Sequence, residues 1–573
     1  MPNQINELES KKIALYRKIM KLGDFRRGTI SINYRKCGKK NCVCAKPGHK
    51  GHGPQYLWST TIKGKSYAKN LKFGPQLQKY ITETDNYRIF VELCDKIINI
   101  NQKICDLRGV FEIKDESEAA ALKKKLEKLL QEETQKEVDR IIDMSLRDTV
   151  SLGHIDFESI EFYIRSSMHS LGGKILEEIL NSDNGGYQGR NLVICDSEAE
   201  FKEYRDKKVQ TVLGSVSVKR AYYYDKENKA GYCPKDHDLD ILGTSFSPGL
   251  RRIMSRVGAY RPFGLGHDDI KEMAGISVTS KEIERIACQS GADVDAFYTK
   301  ELPDNVIPFP SAATMYICMD GTGVPVVKSE TIGRKGKHED GEAKTREAKL
   351  GCVFTQTGFD EDGYPVRDEA STSYVGAIEN SEEFGNRIYK ESRRRGVEET
   401  KKLCVIGDGA PWIWNLADLH FHGATQIIDL FHAREHCWKI GKEIFSADKE
   451  KMMLWVKDRI KELDQGKIEK LITALERLSP STEVGKESVK KKINYFDKNK
   501  ERMRYKKFRD QGLFVGSGVI EAGCRAVIGQ RLKQSGMHWT VNHANNIIAL
   551  RCCMLSNRWE DFWESRASAQ QYP

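Results

Sequence analysis

Apolar and polar residues follow three different rhythms along the chain. Residues 5–22 space their apolar side chains at helical intervals and predict a short amphipathic helix. Residues 25–75 are rich in glycine, threonine, tyrosine and basic residues and predict a small β module. From 76 to 150 the spacing becomes helical and the charge dense. Leu122, Leu126, Leu129 and Leu130 stand three and four apart, as in a helical hairpin or coiled-coil linker. Residues 156–182 predict another amphipathic helix, followed by the turn NGGYQGR. The run QTVLGSVSVKRAYYYD then alternates like a β-hairpin centred near Gly214. Residues 245–296 return to helix. Within them HDDIKEMAGISVTSKEIERIACQ reads as helix, glycine turn, helix, the second helix opening near Thr279 or Ser280 with Lys281 and Arg285 on one face. This is a candidate helix-turn-helix.

The third rhythm begins at Pro310. Short apolar runs at 315–319, 350–357, 365–374, 402–407 and 425–430 predict strands, and helical stretches at 379–397, 411–419 and 431–445 lie between them. A meander followed by alternating elements predicts a mixed α/β sheet covered by helices. Residues 447–512 are helical and charged, and a last helix pair runs from Ser517. The predicted organisation is therefore a basic N-terminal module (1–110), a charged helical linker (111–150) and a mixed helical DNA-binding region (151–305). An α/β core follows (310–446), then an α-helical insertion (447–512) and the rest of the core (513–573). A chain of 573 residues is long enough for three or four domains.

Composition narrows this picture. No stretch of roughly 18 uninterrupted apolar residues predicts a membrane span, and the N-terminus MPNQINELESKK carries no apolar signal core. The 15 cysteines are scattered, and Cys318, Cys352 and Cys404 lie inside strand-like runs, which fits a reduced cytoplasmic protein. Net charge is +11, and its distribution is uneven. Lys11 to Pro75 holds seventeen Lys/Arg and a single acid, Asp24, leaving the remainder mildly acidic. Tyr34, Tyr56, Trp58, Tyr67 and Phe73 are interleaved with these cations. Stacking and phosphate contact together suit nucleic acid, with Arg26, Arg27, Lys39 and Lys40 as candidate contacts. The same block holds Cys37, Cys42 and Cys44 in a C-x4-C-x-C pattern, followed by His49 and His52. Three thiolates and one imidazole satisfy tetrahedral zinc, although buried cysteines packed as small apolar groups would leave the same pattern.

Three acids stand where chemistry is expected. Asp320 ends the first predicted core strand in MYICMDGTGVPV, Asp408 ends the fourth in KLCVIGDGAPW, and Glu521 opens a late helix in GSGVIEAGCRAVIGQRL. Carboxylates at strand ends, flanked by glycines, sit on an exposed rim that a ligand backbone can approach. If the first and fourth strands are neighbours, Asp320 and Asp408 stand side by side. Hard oxygen donors of this kind suit Mg²⁺, and two such ions serve in-line phosphoryl transfer. Taken singly, each acid could instead be a turn or cap residue. Arg525, four residues after Glu521, is placed to hold a phosphate or steady the carboxylate. Between Lys486 and Gln511 eleven Lys/Arg face four acids. Lys506, Lys507 and Arg509 are expected to bring a DNA-binding face beside the acids.

Several long motifs carry a resemblance: MDGTGVP, KLGCVFTQT, PVRDEASTSYVGAIE, VIGDGAPWIWNLADLHF, IIDLFHAREH and GSGVIEAGCRAVIGQRLKQSGMHW. They resemble the ISKra-type insertion-sequence transposases, DDE enzymes of the RNase H superfamily, over about residues 155–563. The resemblance implies an RNase H-like core interrupted by a helical insertion, with Asp320, Asp408 and Glu521 as the catalytic and metal-binding triad. It also implies Mg²⁺-dependent cleavage and strand transfer on double-stranded DNA, at transposon ends and target, by a bacterial cytoplasmic homo-oligomer. A DNA-binding regulator without cleavage and a nuclease of the same fold without strand transfer are the alternatives. Asp429-Leu-Phe-His432 is similar to the D-x2-H element of Mutator-like transposases and implies a structural role near the site, with His436 packing beside it. Only Cys233 and His237 follow the RAYY strand, where the family often carries a cysteine pair, so a zinc ribbon is not expected there. Residues 25–75 resemble a small domain of unknown function from bacterial mobile-element proteins, through RxCGKxxCxCA…GHGP.

Overall fold

The computed structural model describes residues 2–569 apart from 63, 108–115, 155, 195–196, 300–313, 337–340, 342 and 481. The expected boundaries near 110 and between 305 and 310 lie outside the described residues. The chain forms two compact units, Met1–Glu127 and Lys128–Gln570.

The first unit opens with helix α1 (Pro2–Met20). Strands β1 (Thr29–Arg35), β2 (His52–Ile62) and β3 (Lys65–Leu71) follow as an antiparallel sheet in sequence order, and helix α2 (Pro75–Leu107) lies against it. Its core is small: Leu71, Leu77 and Tyr80 are buried, with Ile30, Tyr56, Trp58 and Ile81 packed around them. Two of the interleaved aromatics, Tyr56 and Trp58, are therefore partly committed to packing. Tyr34, Tyr67 and Phe73 remain exposed. Helix α3 (Glu116–Leu152) runs across the boundary at Glu127, which falls inside the stretch 111–150 expected to be a charged helical linker.

The second unit continues with helix α4 (Phe157–Leu180) and a four-stranded antiparallel meander. Its strands are β4 (Asn191–Ile194), β5 (Ser197–Thr211), β6 (Gly214–Asp225) and β7 (Ala230–Tyr232). The β5–β6 turn falls at the expected Gly214, which takes φ +107°. Helices α5 (Pro234–Asp238), α6 (Pro248–Tyr260), α7 (Phe263–Ala274) and α8 (Ser280–Thr299) come next. Gly275 ends α7 in the left-handed region, and Thr279 and Glu282 form the reciprocal hydrogen bonds that start α8. Most of α8 is core: Ile283, Ala287 and Val294 are fully buried. A stripe of Lys281, Arg285 and Gln289 stays exposed.

The principal sheet contains β8 (Thr314–Pro325), β9 (Thr345–Gln356), β12 (Ser373–Ala377), β13 (Lys402–Gly407) and β14 (Thr425–Ile428). A small hairpin of β10 (Gly358–Phe359) and β11 (Pro365–Val366) precedes β12. The order is β12-β9-β8-β13-β14. β9 is antiparallel to both β12 and β8, whereas β13 is parallel to both β8 and β14. Met315 to Met319 are all fully buried, so this strand reads as a continuous apolar run rather than an alternation. Two strands differ from expectation. β8 continues to Pro325, because MDGTGVP stays paired with β9 from Asp320–Leu350 to Pro325–Thr345. The strand expected at 365–374 breaks, because Asp368 turns its carboxylate onto Thr355 and Thr357 and holds a loop there.

Helices α9 (Ser381–Arg394), α10 (Pro411–His420) and α11 (Leu430–Ile444) join these strands. The insertion follows as α12 (Lys449–Asp464), α13 (Ile468–Glu476), α14 (Glu483–Asn499) and α15 (Tyr505–Asp510). The chain returns through α16 (Gly518–Gly523), a π-helical turn (Cys524–Gly529), α17 (Gln530–Leu532), α18 (Val541–Leu555) and α19 (Trp559–Ala569). α18 is almost wholly buried and packs so closely on α8 that a Cβ at Gly291 would lie 2.2 Å from the Asn546 carbonyl oxygen. Among the described residues no helix is long and apolar enough to cross a membrane.

Candidate functional site

Parallel pairing of β13 with β8 sets Ile406 opposite Cys318. The pairing ends there; Asp408 follows directly after Gly407, the last residue of β13, close enough to Asp320 for its charge to act on that carboxylate. Both carboxylates are half-buried; Asp408 stands at the end of β13, whereas Asp320, expected to end its strand, lies midway along β8, because the residues after it stay paired with β9. Burial raises the pKa of Asp320, and the charge of Asp408 raises it further. Hydrogen bonds from Cys524 and from the Gly321 N–H pull it back. Asp320 Oδ1 accepts from Gly321 N at 2.7 Å, and Oδ2 receives the Cys524 thiol at 3.3 Å. Asp408 Oδ1 accepts from Ala410 N at 2.9 Å, which fixes the turn into α10.

Glu521 lies on α16, one helical turn before Cys524, and is exposed. Its Oε1 accepts from Ser517 Oγ at 3.0 Å, rather than pairing with the equally exposed Arg525. The helix therefore lies over Asp320, touching it through Cys524. Like-charged carboxylates repel, and the three acids are not all within 4.8 Å of one another.

Asp429 explains how α16 is held. It is 1% exposed, closes β14 and caps α11, its Oδ1 accepting from His432 N at 2.6 Å. Its Oδ2 accepts from Ser517 N, and its own N–H donates to Gly407 O at 2.9 Å. One buried carboxylate thus joins the strand of Asp408, the start of α11 and the loop that delivers Glu521. The D-x2-H spacing is here the spacing from a cap residue to the third helical N–H. A positive charge on His432 favours the ionised form of Asp320. His436 packs 4.3 Å from the Tyr495 ring, and burial together with the nearby Lys492 pushes it down to about 3.

Sequence reasoning missed four contributors. Ser517 and Cys524 sit four before and three after Glu521, a same-face spacing that would have pointed to them. Tyr495 comes from the insertion and donates from Oη to Asp408 O at 3.2 Å, with no local signal. Gly409, at φ +100°, leaves it room: a Cβ there would be 2.7 Å from Tyr495 Oη. Lys533 donates from Nζ to Thr322 Oγ1, two residues along β8 from Asp320.

The basic segment divides: Tyr495 from its middle reaches Asp408, whereas its C-terminal end, with Lys506, Lys507 and Arg509, leads away from the acids. Gln511 O accepts from Lys402 Nζ at 3.1 Å and Gly512 O from Gln356 Nε2 at 3.1 Å, both where β13 and β8 begin. Asp408 is six residues further along, about 20 Å. Lys506 pairs with Asp510 at 2.8 Å and Arg509 approaches Asp464 at 3.8 Å; Lys507 is exposed. The sequence count of charges could not see these partners.

In the first unit Arg26 bonds Glu83 at 2.7 Å and stacks 4.2 Å over Tyr80, an acid and a ring supplied by α2. Arg27, Lys39 and Lys40 are exposed. Cys37, Cys42, Cys44 and His52 converge with their ligand atoms all within 4.8 Å of one another and could hold a metal ion. Cys37 and Cys44 sulfurs are 3.5 Å apart, and Cys42 Sγ is 2.9 Å from His52 Nε2. His49 is the ligand candidate left out, its Nδ1 accepting from Gly51 N at 3.0 Å. The Lys39 backbone N–H, with Cys44, Cys42 and His52, pushes Cys37 down to about 6.

Residues 5–71 match a domain of unknown function, DUF6788. The match takes in most of α1 and all three strands, so it starts earlier than the resemblance over 25–75, and it contains the whole cysteine–histidine cluster. No curated protein matches the chain.

Proposed function

We propose that the protein is a DDE transposase of RNase H-like fold, which cuts DNA at the ends of its own insertion sequence and transfers the freed 3′ hydroxyl to target DNA. The observation that supports this reading is the parallel β8–β13 pairing, which leads Asp408 out of the sheet near Asp320, with Cys524, three residues after Glu521, bonded to Asp320. The strand order, antiparallel on one side of β8 and parallel on the other, is that of RNase H folds and supports the reading by analogy. A helical insertion between Asp429 and Glu521 supports it further.

The donor set fits Mg²⁺: all three groups are hard oxygen donors at a solvent-facing rim, and the mutual repulsion of Asp320 and Asp408 favours a cation between them. Two Mg²⁺ ions, when bound, supply activation of the attacking oxygen and charge stabilisation of the leaving one. The chain's own groups orient this centre. Gly321 and Ala410 N–H groups aim the two aspartates, and Ser517 aims Glu521. The enzyme works as a homo-oligomer on double-stranded DNA in the bacterial cytoplasm. Soft donors in the N-terminal cluster suit zinc.

The test incubates purified protein and Mg²⁺ with duplexes carrying the inverted repeats that flank its gene, and then with pre-cut 3′-hydroxyl ends and a supercoiled target. Wild type is expected to nick and join, and Asp408→Asn to do neither. Cutting without joining would assign a nuclease instead. Binding with no cutting by wild type would assign a regulator.

A further inference from the structure

The loop between β1 and β2 has almost nothing to fold around. Of residues 36–50 only Cys44 is buried, and Val43 is 62% exposed. Its regular structure is one 3-10 turn, Val43–Ala45. A segment this polar buries too little apolar surface to offset the entropy of ordering it. Yet its chemistry converges. Cys37 follows β1, and His52 opens β2 opposite Arg35, so these two stand at the base of the loop. Cys42 caps the 3-10 turn, Cys44 lies within it, and both reach back to them. Tetrahedral coordination at zinc–sulfur distances of about 2.3 Å places sulfurs roughly 3.8 Å apart. Cys37 and Cys44, at 3.5 Å, are already near that spacing.

The loop is also one-sided in charge. Lys36, Lys39, Lys40, Lys46 and Lys50 are all exposed, and residues 36–51 contain no acid. A zinc ion held by three thiolates and a neutral imidazole leaves the centre with about one negative charge, so the surface stays strongly positive.

We propose that Cys37, Cys42, Cys44 and His52 bind one zinc ion, and that this ion orders the five-lysine loop into a surface that grips the phosphate backbone of duplex DNA. The inference rests on the zinc assignment made above and adds that DNA affinity is metal-dependent. Each lysine fixed at a phosphate contributes about 0.9 to the slope of log affinity against log salt. Loss of the ordered loop therefore removes a slope of roughly 2–4.

The test uses the full chain. Elemental analysis is expected to find one zinc per chain, and cobalt replacement to give thiolate-to-metal absorption. Both should be lost in Cys42→Ser and kept in His49→Ala. Titration of a mixed-sequence DNA duplex should show affinity falling about tenfold or more, with a shallower salt slope, after zinc is stripped, and recovery when zinc alone is returned. Lys39→Ser/Lys40→Ser should keep the cobalt spectrum and still weaken binding, which separates charge from misfolding. Absence of zinc, or iron in its place, overturns the metal assignment. Full zinc with unchanged affinity and slope on stripping overturns the coupling alone. Tighter binding to single-stranded RNA than to the duplex at equal salt overturns the choice of partner.

Discussion

The acidic rim and the cysteine–histidine loop solve the same problem, gathering like-charged donors, in opposite ways. At the rim the frame comes first. Strands β8 and β13 are buried on both faces and paired up to Ile406, so the sheet carries Asp320 and leads directly to Asp408 whatever charge they carry. In the loop only Cys44 is buried, and the donors themselves are the main contacts. A rigid frame tolerates burial and repulsion of its ligands, and both raise the pKa of Asp320, burial foremost. A loop without a core has no frame to resist with, and its shape depends on what the donors hold. The rim should therefore lose function and keep its fold when a donor is removed, and the loop should lose its fold.

The sharpest break of this comparison is a pair of variants. Asp408→Asn is expected to lower cleavage by on the order of 10³-fold or more, since a charge-stabilising ligand is removed. Zinc content, general DNA affinity and melting temperature should stay near wild type. Cys42→Ser should do the reverse, losing zinc and non-specific affinity before cleavage of saturating DNA. Equal loss of both properties in either variant would mean that the two regions are not independent.

The next effect concerns the frame itself. Asp429→Ala strips acceptors from the N–H groups of His432 and Ser517 at a site that is 1% exposed. Losing a cap and leaving buried donors unpaired costs about 2–3 kcal/mol, measurable by chemical denaturation. Ser517→Ala leaves the backbone bonds in place. It should leave stability nearly unchanged while weakening Mn²⁺ binding, because only the Glu521 carboxylate loses its orienting hydroxyl. If Ser517→Ala unfolds the protein as readily as Asp429→Ala, the hydroxyl is part of the frame and not of the site.

A smaller effect follows from the raised pKa of Asp320. Its charged form is disfavoured in the folded protein by burial and by Asp408, so at neutral pH the ionised group destabilises the fold. Asp320→Asn should raise the melting temperature there. The gain should shrink as pH falls through the raised folded pKa and vanish below the unfolded value, where the acid is protonated in both states. An Asn variant less stable than wild type at neutral pH would show that the hydrogen bonds from Gly321 and Cys524 outweigh the repulsion.

How much of this was legible in the sequence follows the same division. Apolar runs ending in Asp-Gly announced β8 and β13, because strands buried on both faces leave continuous hydrophobic signatures. The break of the strand expected at 365–374 was not legible, since it depends on Asp368 reaching Thr355 across the sheet. Nor was Tyr495 against Asp408, 87 residues apart. The cysteine spacing gave the donors without saying which histidine joins them. His52 does so because it is paired with Arg35 at the strand base, whereas His49 turns to Gly51. Charge counting fared worst, because it registers cations and not their partners. Arg26 belongs to Glu83 and Tyr80, and the stripe on α8 came through only as far as burial allows.

The least effect is expected where sequence alone expected a large one. Lys506, Lys507 and Arg509 lie on the helix whose end bonds the start of β13. Two of the three already face acids of their own, Asp510 and Asp464. Exposed pairs of this kind contribute little to stability, and a phosphate lying at Asp408 is too far away to meet them. Replacing all three by glutamine should leave the melting temperature unchanged and cleavage of the element's ends within a few-fold of wild type. Lys533→Gln is the informative counterpart. Its ammonium sits on Thr322, two residues from Asp320, where removing one cation from the phosphate backbone should lower the salt slope by about 0.9. A triple variant that fails to cut while Lys533→Gln cuts normally would place the DNA path across α15 instead of along the rim.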